Sequence, residues 1–138
     1  MFQSLPEVTT PLIEQALQAQ KNAYAPYSKF HVGSAIIDEA GQIHSGCNVE
    51  NAAYPLGQCA EAGAISAMVL SGNKLIKHIV IIGPTTDFCP PCGGCRQKIA
   101  EFADGQTQIH MVKKSGEIKT VAFKELLPFS FGFEKTDD

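Results

Sequence analysis

Cys59-Ala60-Glu61 and Pro91-Cys92-Gly93-Gly94-Cys95-Arg96 are the two short motifs around which the chain is organised. The apolar run from Ile79 to Ile82 lies between them. A strand formed by this run, with its flanking turns, brings the second cysteine pair back beside the first. Three thiolates can then hold one metal, as in a catalytic zinc site that leaves its fourth position to water. Glu61 follows Cys59 by two residues, where it can serve that water.

The segments around these motifs alternate between strand and helix patterns, which indicates an α/β protein. Strands are predicted over residues 30–37, 42–49, 78–82, 107–113 and 117–121, and helices over residues 9–22, 59–70, 92–102 and 123–127. The first two strands should form an antiparallel hairpin around the turn at residues 38–41. Residues 42–49, 59–70 and 78–82 then form a βαβ unit, so its two strands should be parallel.

Length and composition indicate one globular domain over residues 1–138, with 44% hydrophobic and 18% charged residues. The net charge of −3 provides no basic surface for phosphate backbones, so a polynucleotide partner is disfavoured. No apolar run approaches the roughly 18 residues that cross a bilayer. Residues 1–6 lack a basic segment followed by an apolar one, as a targeting peptide would have. We therefore expect a cytoplasmic protein without a membrane partner.

Five cysteines in a reducing compartment favour metal binding or catalysis over disulfides. Sulfur ligands disfavour magnesium and calcium and leave zinc, an iron–sulfur cluster or copper(I). Cys89 and Cys92 form a competing Cys-x-x-Cys pair, but two prolines stiffen it. The spacing of three puts Cys92 and Cys95 on one helix face. We assign these two and Cys59 as ligands; the alternative is a non-catalytic zinc or redox module that uses Cys89. Cys47 is interpreted as a buried strand residue.

Three thiolates on a divalent zinc form an anionic centre whose charge must be offset. All three proposed ligands lie at predicted helix N-termini, where the dipole and free N–H groups lower a thiol pKa. Arg96, beside Cys95, is a second source of positive charge.

Several segments have both a plain structural and a functional interpretation. Thr9 or Thr10 should cap the first helix, with Pro11 at its first position. Residues 23–28, with two tyrosines and a proline, form either a connecting loop or a pocket wall. Asn48 and Glu50 share a strand face, so they either contact one ligand or are solvated. The apolar helix 59–70 indicates packing between a sheet and a second surface, for which another subunit is one candidate. The aromatic residues 129–133 either fold back or cover a partner's site.

Taken together, these motifs resemble those of the small, all-cysteine cytidine deaminases of the zinc-dependent cytidine and deoxycytidylate deaminase family. The Cys-x-Glu and Pro-Cys-x-x-Cys pair matches the zinc-deaminase signature. The resemblance extends over most of the chain. The segments that carry it, in order, are Ala23-Tyr24-Ala25-Pro26-Tyr27-Ser28, Phe30, Val32-Gly33, Gly46-Cys47-Asn48-Val49-Glu50-Asn51-Ala52-Ala53-Tyr54, Cys59-Ala60-Glu61, Pro91-Cys92-Gly93-Gly94-Cys95-Arg96-Gln97, Leu126-Leu127-Pro128 and Phe131-Gly132.

The resemblance implies a three-layer α/β/α sandwich with a mixed five-stranded sheet, assembled as a homotetramer. It implies hydrolysis of cytidine and 2'-deoxycytidine to the uracil nucleosides and ammonia. One zinc ion per subunit would be held by Cys59, Cys92 and Cys95, with Glu61 as the catalytic proton shuttle. The implied substrate-binding residues are Phe30, Asn48, Glu50 and Ala60. Those implied to approach a neighbouring subunit's site are Ala52, Tyr54 and Phe131.

The residue after Glu61 departs from this pattern. Many all-cysteine members carry an arginine there that hydrogen-bonds the ligand sulfurs, whereas this chain has Ala62. Blasticidin-type deaminases also lack that arginine, so another aminated pyrimidine nucleoside is the alternative substrate. The segment from Asn48 to Tyr54 still favours a cytidine-like nucleoside.

Overall fold

The computed structural model describes residues 7–133, so the first six residues, in which a targeting peptide would lie, fall outside it. The strands are β1 (Gly33–Asp38), β2 (Ile43–Cys47), β3 (Ile76–Ile82), β4 (Gln108–Val112) and β5 (Ile118–Ala122). The helices are α1 (Thr9–Lys21), α2 (Ala60–Leu70), α3 (Gly93–Glu101) and α4 (Phe123–Leu126), with a 3₁₀ turn at Tyr54–Leu56. All nine predicted strands and helices are present, with ends shifted by a few residues.

The sheet is mixed and has the order β2-β1-β3-β4-β5. β1 is antiparallel to both of its neighbours, β3 and β4 are parallel, and β4 and β5 are antiparallel. β2 and β3 therefore run in the same direction, as the βαβ pattern predicted. However, β1 lies between them, because it pairs with β2 on one side and with β3 on the other.

Helices cover both faces of the sheet, which confirms the three-layer α/β/α arrangement. α1 packs on one face through Leu12 and Ala16, which join Ala35, Val80 and other residues in a buried cluster. α2 and α3 pack on the opposite face. The larger cluster there includes Ala64, Ile65, Met68, Ile79, Ile81, Ile99 and Ile109. The alternation of Val80 and Ile82 with Ile79 and Ile81 supplies both cores from β3, as expected of a strand buried on both faces.

Two predictions near the N-terminus were wrong in detail. The N-cap of α1 is Val8, not a threonine, and Thr9 is instead a buried first-turn residue. β1 begins at Gly33 rather than at residue 30. The Asn48 side chain accepts a hydrogen bond from Val32 N–H (2.9 Å) and donates one to the Phe30 carbonyl (2.7 Å). Because a side chain satisfies these backbone groups, the segment before Gly33 forms a loop rather than extending the strand.

Close contact between β2 and α2 sets the position of the helix. A Cβ atom added at Gly46 would lie 2.5 Å from both the Ala60 carbonyl oxygen and the Ala64 nitrogen. Only glycine permits this approach, and Gly63 faces Gly46 across it. Gly46 and Gly63 therefore allow the first two turns of α2 to pack in direct contact with β2.

The side chains of α2 fall into a buried set and a solvent-exposed set. Glu61, Ala64 and Met68 are buried, whereas Val69 and Leu70 are exposed, Leu70 to 88%. Within residues 7–133, no helix has the length and hydropathy needed to span a bilayer.

Candidate active site

The sheet topology explains why the two motifs meet. Gly33, at the start of β1, is in register with Cys47 at the end of β2 and with Ile82 at the end of β3. The chain therefore leaves β2 and β3 at the same sheet edge. α2 and α3 follow these two strands, so their N-termini come together there, at the carboxyl ends where α/β proteins bind ligands.

Three cysteine sulfurs converge at this edge. Cys59 and Cys92 are the N-cap residues of α2 and α3, and Cys95 lies in the first turn of α3. All three Sγ atoms lie within 4.8 Å of one another. Cys59 Sγ and Cys92 Sγ are 3.8 Å apart. Tetrahedral zinc with Zn–S bonds of about 2.3 Å separates two sulfurs by about 3.8 Å. The three thiols therefore fit a zinc ion, and the predicted ligand trio is the metal-binding cluster of the described residues.

The electrostatics of the sulfurs differ from the sequence-based expectation. Burial raises the pKa of the Cys59 and Cys95 thiols. For Cys92, burial is outweighed by hydrogen bonds from the Cys95 N–H and from the thiols of Cys95 and Cys59, so its pKa is lowered. Of the three thiols, only that of Cys92 has its pKa lowered, whereas a lowered pKa was predicted for all three. Deprotonation of the other two must accompany metal binding, which therefore releases protons.

Arg96 uses two of its donors on backbone carbonyls. Its Nε donates to the Pro91 carbonyl and its Nη1 to the Leu126 carbonyl, both at 2.9 Å. Ala62 is buried, and a cavity of about 420 Å³ lies beside it between α2 and α3, with Gln58 and Lys98 among its lining residues. The backbone N–H of Cys95 hydrogen-bonds the Cys92 sulfur and so offsets part of the sulfur charge.

Glu61 lies in the first turn of α2 and is only 4% exposed to solvent. Burial raises the pKa of its carboxyl group, and the opposing contributions of its own N–H, the Cys95 thiol and the Lys98 charge are smaller. A carboxyl group whose pKa is raised toward neutrality can both accept and return a proton. Its side chain also reaches the wall of the adjoining cavity.

That cavity has a volume of about 610 Å³, within the range of small-molecule sites. It brings together most of the predicted site residues, namely Phe30, Asn48, Glu50, Tyr54, Cys59, Ala60, Glu61 and Cys92. Cys95 is buried behind this wall. Residues 27, 28 and 30 also line it, so the loop after α1 forms a pocket wall, as one of its two interpretations held.

Glu50 and Asn48 hold this loop against the cavity. The Glu50 carboxylate accepts hydrogen bonds from the Tyr27 N–H (3.0 Å), the Ser28 N–H (3.2 Å) and the Ser28 hydroxyl. These donors, the Ser28 hydroxyl foremost, lower the pKa of Glu50, which keeps it ionised. Asn48 binds the same loop at Phe30 and Val32. Asn48 and Glu50 are therefore not simply solvated, because both form hydrogen bonds to the loop. Both also line the cavity.

Three residues implied to approach a neighbouring site behave differently in this subunit. Tyr54 is 80% exposed and lies at the rim of its own cavity. Ala52 is exposed and does not line that cavity. Phe131 is 70% exposed, and its carbonyl accepts a hydrogen bond from the Gln97 side chain. The tail thus packs on α3 through its backbone and leaves its rings outside.

Sequence reasoning missed two features of the cavity. Cys89 is not a member of the sulfur cluster, but it does line the cavity beside Pro90. A Cβ added at Gly83 would lie 2.7 Å from the Cys89 Cβ atom, so this glycine makes room for it. Ser28, which holds Glu50, carried no distinguishing signal because its partner is 22 residues away. Cys47 is half-buried rather than buried.

Comparison with known proteins agrees with this geometry. A family model described as the cytidine and deoxycytidylate deaminase zinc-binding region matches residues 6–111. The chain is 40% identical over 123 residues to a cytidine deaminase of Sporosarcina psychrophila, covering 89% of this chain and 90% of that protein. It is 38% identical to the cytidine deaminase of Halalkalibacterium halodurans over 127 residues, or 92% and 96% of the two chains.

A solved structure shows the same fold. The crystal structure of cytidine deaminase from Burkholderia pseudomallei superposes with a TM-score of 0.85 at 35% identity, and the match covers 92% of this chain and all of that one. Family, fold and sulfur cluster lead to one assignment. The chain belongs to the zinc-binding cytidine and deoxycytidylate deaminase family.

Proposed function

We propose that this protein hydrolyses cytidine and 2'-deoxycytidine to uridine and 2'-deoxyuridine with release of ammonia. The observation that carries the proposal is the buried Glu61 carboxyl group beside the Cys59, Cys92 and Cys95 cluster, on the wall of a nucleoside-sized cavity. One cytoplasmic domain carries the activity, with one zinc ion per subunit. The named activity of the relatives described above supports the choice of substrate.

Glu61 moves the protons of this reaction. A zinc ion held by Cys59, Cys92 and Cys95 would lower the pKa of water to about 7, which would make a nucleophile for C4 available at neutral pH. Glu61 would take one proton from that water and deliver it to ring N3. It would then take the remaining proton from the oxygen added at C4 and transfer it to the amino group, which leaves as ammonia when the C4–N bond breaks. Its raised pKa suits both directions of transfer. Water supplies the oxygen of the new carbonyl, and the products are the uracil nucleoside and ammonia.

The polar wall of the cavity recognises the nucleoside. Asn48 and Glu50 contact the ribose hydroxyls, for which the Glu50 carboxylate has acceptor capacity beyond its bonds to the 27–28 loop. Phe30 packs against the base, and Ala60, buried at the start of α2, contacts it from the metal side. A cavity that also binds sugar hydroxyls favours nucleosides over free bases.

The active form is a homotetramer whose sites are shared between subunits. Ala52, Tyr54 and Phe131 approach the cavity of a neighbouring subunit. The exposure of Tyr54 and Phe131 supports this arrangement, since large apolar side chains grouped on a surface are typical of interaction sites. The exposed Leu56 and Leu70 add to the apolar surface that assembly would bury.

The direct test is to mix zinc-loaded protein with cytidine and follow the absorbance change as uridine forms. Turnover with both cytidine and deoxycytidine is expected. Absence of turnover in zinc-replete protein would overturn the proposal and favour a non-catalytic zinc module. A panel that includes blasticidin S separates the alternative substrate, which would have to show the higher kcat/KM.

Light scattering at assay concentration tests the assembly. A mass of four subunits is expected. A fully active monomer would refute the shared site.

A further inference from the structure

Arg96 and Gln97 complete the second motif. Among the described residues, neither belongs to the sulfur cluster or lines the 610 Å³ cavity, although Gln97 lines the smaller cavity between α2 and α3. Both instead hold the C-terminal segment. Arg96 Nη1 donates to the carbonyl of Leu126, the last residue of α4, at 2.9 Å. Gln97 Nε2 donates to the Phe131 carbonyl at 3.0 Å. Two adjacent side chains of α3 thus bind both ends of the segment 126–131.

Arg96 also connects this segment to the metal site. Its Nε donates to the carbonyl of Pro91, the residue before Cys92, at 2.9 Å. A guanidinium group presents its N–H donors in a rigid fork, so one side chain fixes the two carbonyls relative to each other. The turn that presents Cys92 and the end of α4 are therefore held in one arrangement.

The aromatic rings of the tail cannot supply this placement within the subunit. Phe129, Phe131 and Phe133 are each at least 70% exposed. The rings of Phe131 and Phe133 meet edge to face at 5.1 Å, both on the outside. An exposed terminal segment loses its order unless something ties it down. The Arg96 and Gln97 bonds are such ties.

We propose that Arg96 and Gln97 are positioning residues that hold Phe131 in place for a neighbouring subunit's cavity and couple it to the loop that carries Cys92. The inference rests on the proposed function, because it assigns Phe131 to a shared nucleoside site. Gln97 acts through Phe131 alone, whereas Arg96 acts on both the tail and the metal loop.

A double-mutant cycle tests the Gln97 part. Gln97→Met keeps the length of the side chain and removes its donor. We expect KM for cytidine to rise about two- to tenfold, the effect of one hydrogen bond, while kcat and zinc content stay unchanged. In a Phe131→Ala background the same substitution should have no further effect on KM. An equal effect in both backgrounds, or an unchanged KM in the wild-type background, overturns the proposal.

Gln106→Met is the matched control, because Gln106 is exposed on the turn before β4. It should leave KM unchanged. Hydrogen exchange of the peptide that covers residues 126–133 gives a readout without catalysis. Faster exchange is expected in Gln97→Met and not in Gln106→Met; unchanged exchange in Gln97→Met would contradict the tie itself. If Gln97→Met exchanges faster as expected but zinc-loaded wild-type protein does not turn over cytidine, the proposed function is overturned and the tie is not.

Arg96→Lys tests the coupling to the metal loop. A lysine keeps the charge but cannot span both carbonyls with fixed geometry. We expect zinc transfer to a chromogenic chelator to be faster than in wild type and KM to rise as well. Gln97→Met should raise KM and leave the rate of zinc transfer unchanged. An unchanged rate of zinc transfer in Arg96→Lys would overturn the role assigned to Arg96.

Discussion

Cys59 Sγ and Cys92 Sγ lie 3.8 Å apart, although 33 residues separate them. Each residue is the N-cap of its helix, and the two helices follow strands that end at the same sheet edge. The sulfur spacing already matches tetrahedral zinc. The fold therefore prepares the ligands, and metal binding requires little rearrangement beyond the loss of thiol protons.

Replacement of any one ligand should release the metal. Cys59→Ala, Cys92→Ala and Cys95→Ala are each expected to lose zinc and the stabilisation it provides, about 3 kcal/mol when free zinc exceeds Kd roughly a hundredfold. Cys89→Ala is the control and should keep one zinc per subunit, because Cys89 is not in the cluster. Elemental analysis and thermal unfolding measure both effects. Zinc loss in Cys89→Ala with retention in Cys95→Ala would show that the ligand assignment is wrong.

Glu61→Gln should separate catalysis from metal binding. The amide fits the same buried position but cannot carry the proton, so kcat should fall at least about 10²- to 10⁴-fold. Zinc content should remain that of wild type, because Glu61 is not in the sulfur cluster. Steady-state kinetics and metal analysis on the same preparation are the measurements. Near-normal turnover in the variant would remove Glu61 from the mechanism.

Glu50→Gln should weaken substrate binding more than turnover. The amide has one acceptor oxygen, which the N–H groups of Tyr27 and Ser28 occupy, so its NH₂ group replaces the charged acceptor that the Ser28 hydroxyl and the substrate would use. Loss of charge-assisted bonds predicts a rise in KM of about 10- to 100-fold with a smaller change in kcat. Glu39→Gln is a matched control, since Glu39 also accepts two backbone N–H bonds, from Lys74 and Leu75, outside the cavity. Equal KM effects in the two variants would contradict the assignment.

His110 should make the protein less stable in mild acid. His110 is fully buried, with its Nε2 atom 3.0 Å from His78 Nδ1 and its Nδ1 atom 2.8 Å from the Thr120 hydroxyl oxygen. Burial lowers the pKa of His110 to about 4. The unfolded chain, with a histidine pKa near 6.5, binds more protons between these values. The free energy of unfolding should therefore fall as pH drops from about 6.5 toward 4, by up to about 3 kcal/mol.

Urea unfolding of the zinc-bound protein across this pH range measures the effect. His110→Asn keeps a polar group near Thr120 and removes the titration. Its stability should depend less steeply on pH than that of wild type. Equal slopes would show that His110 does not control acid stability.

Gly46→Ala should disturb the site from a distance. The added methyl group meets the Ala60 carbonyl and the Ala64 nitrogen at 2.5 Å, so α2 must shift away from β2. We expect a destabilisation of about 1–3 kcal/mol. We also expect a loss of kcat/KM, because Glu61 lies in the displaced turn. Gly105→Ala, where an added Cβ meets no atom within 4 Å, is the control. Wild-type stability and activity in Gly46→Ala would contradict this packing argument.

Much of the molecule was predictable because its signals are local. The run from Ile79 to Ile82 has the pattern of a strand buried on both faces, and the cysteine spacing of α3 follows from helix geometry. The ligand trio and the position of Glu61 beside it also follow from the two motifs. Three cysteines and one glutamate at this spacing are typical of a metal site, so the sequence was enough to predict that these residues lie together.

Tertiary structure decided what depends on contacts between distant segments. The insertion of β1 between β2 and β3 follows from strand pairing, which no local pattern specifies. The bonds of Arg96 to the Pro91 and Leu126 carbonyls were not predictable, since a side chain of that length can reach several partners. Residue identity and spacing thus determined the chemistry of this protein. The long-range hydrogen bonds and packing that hold its loops and tail were decided only when the chain folded.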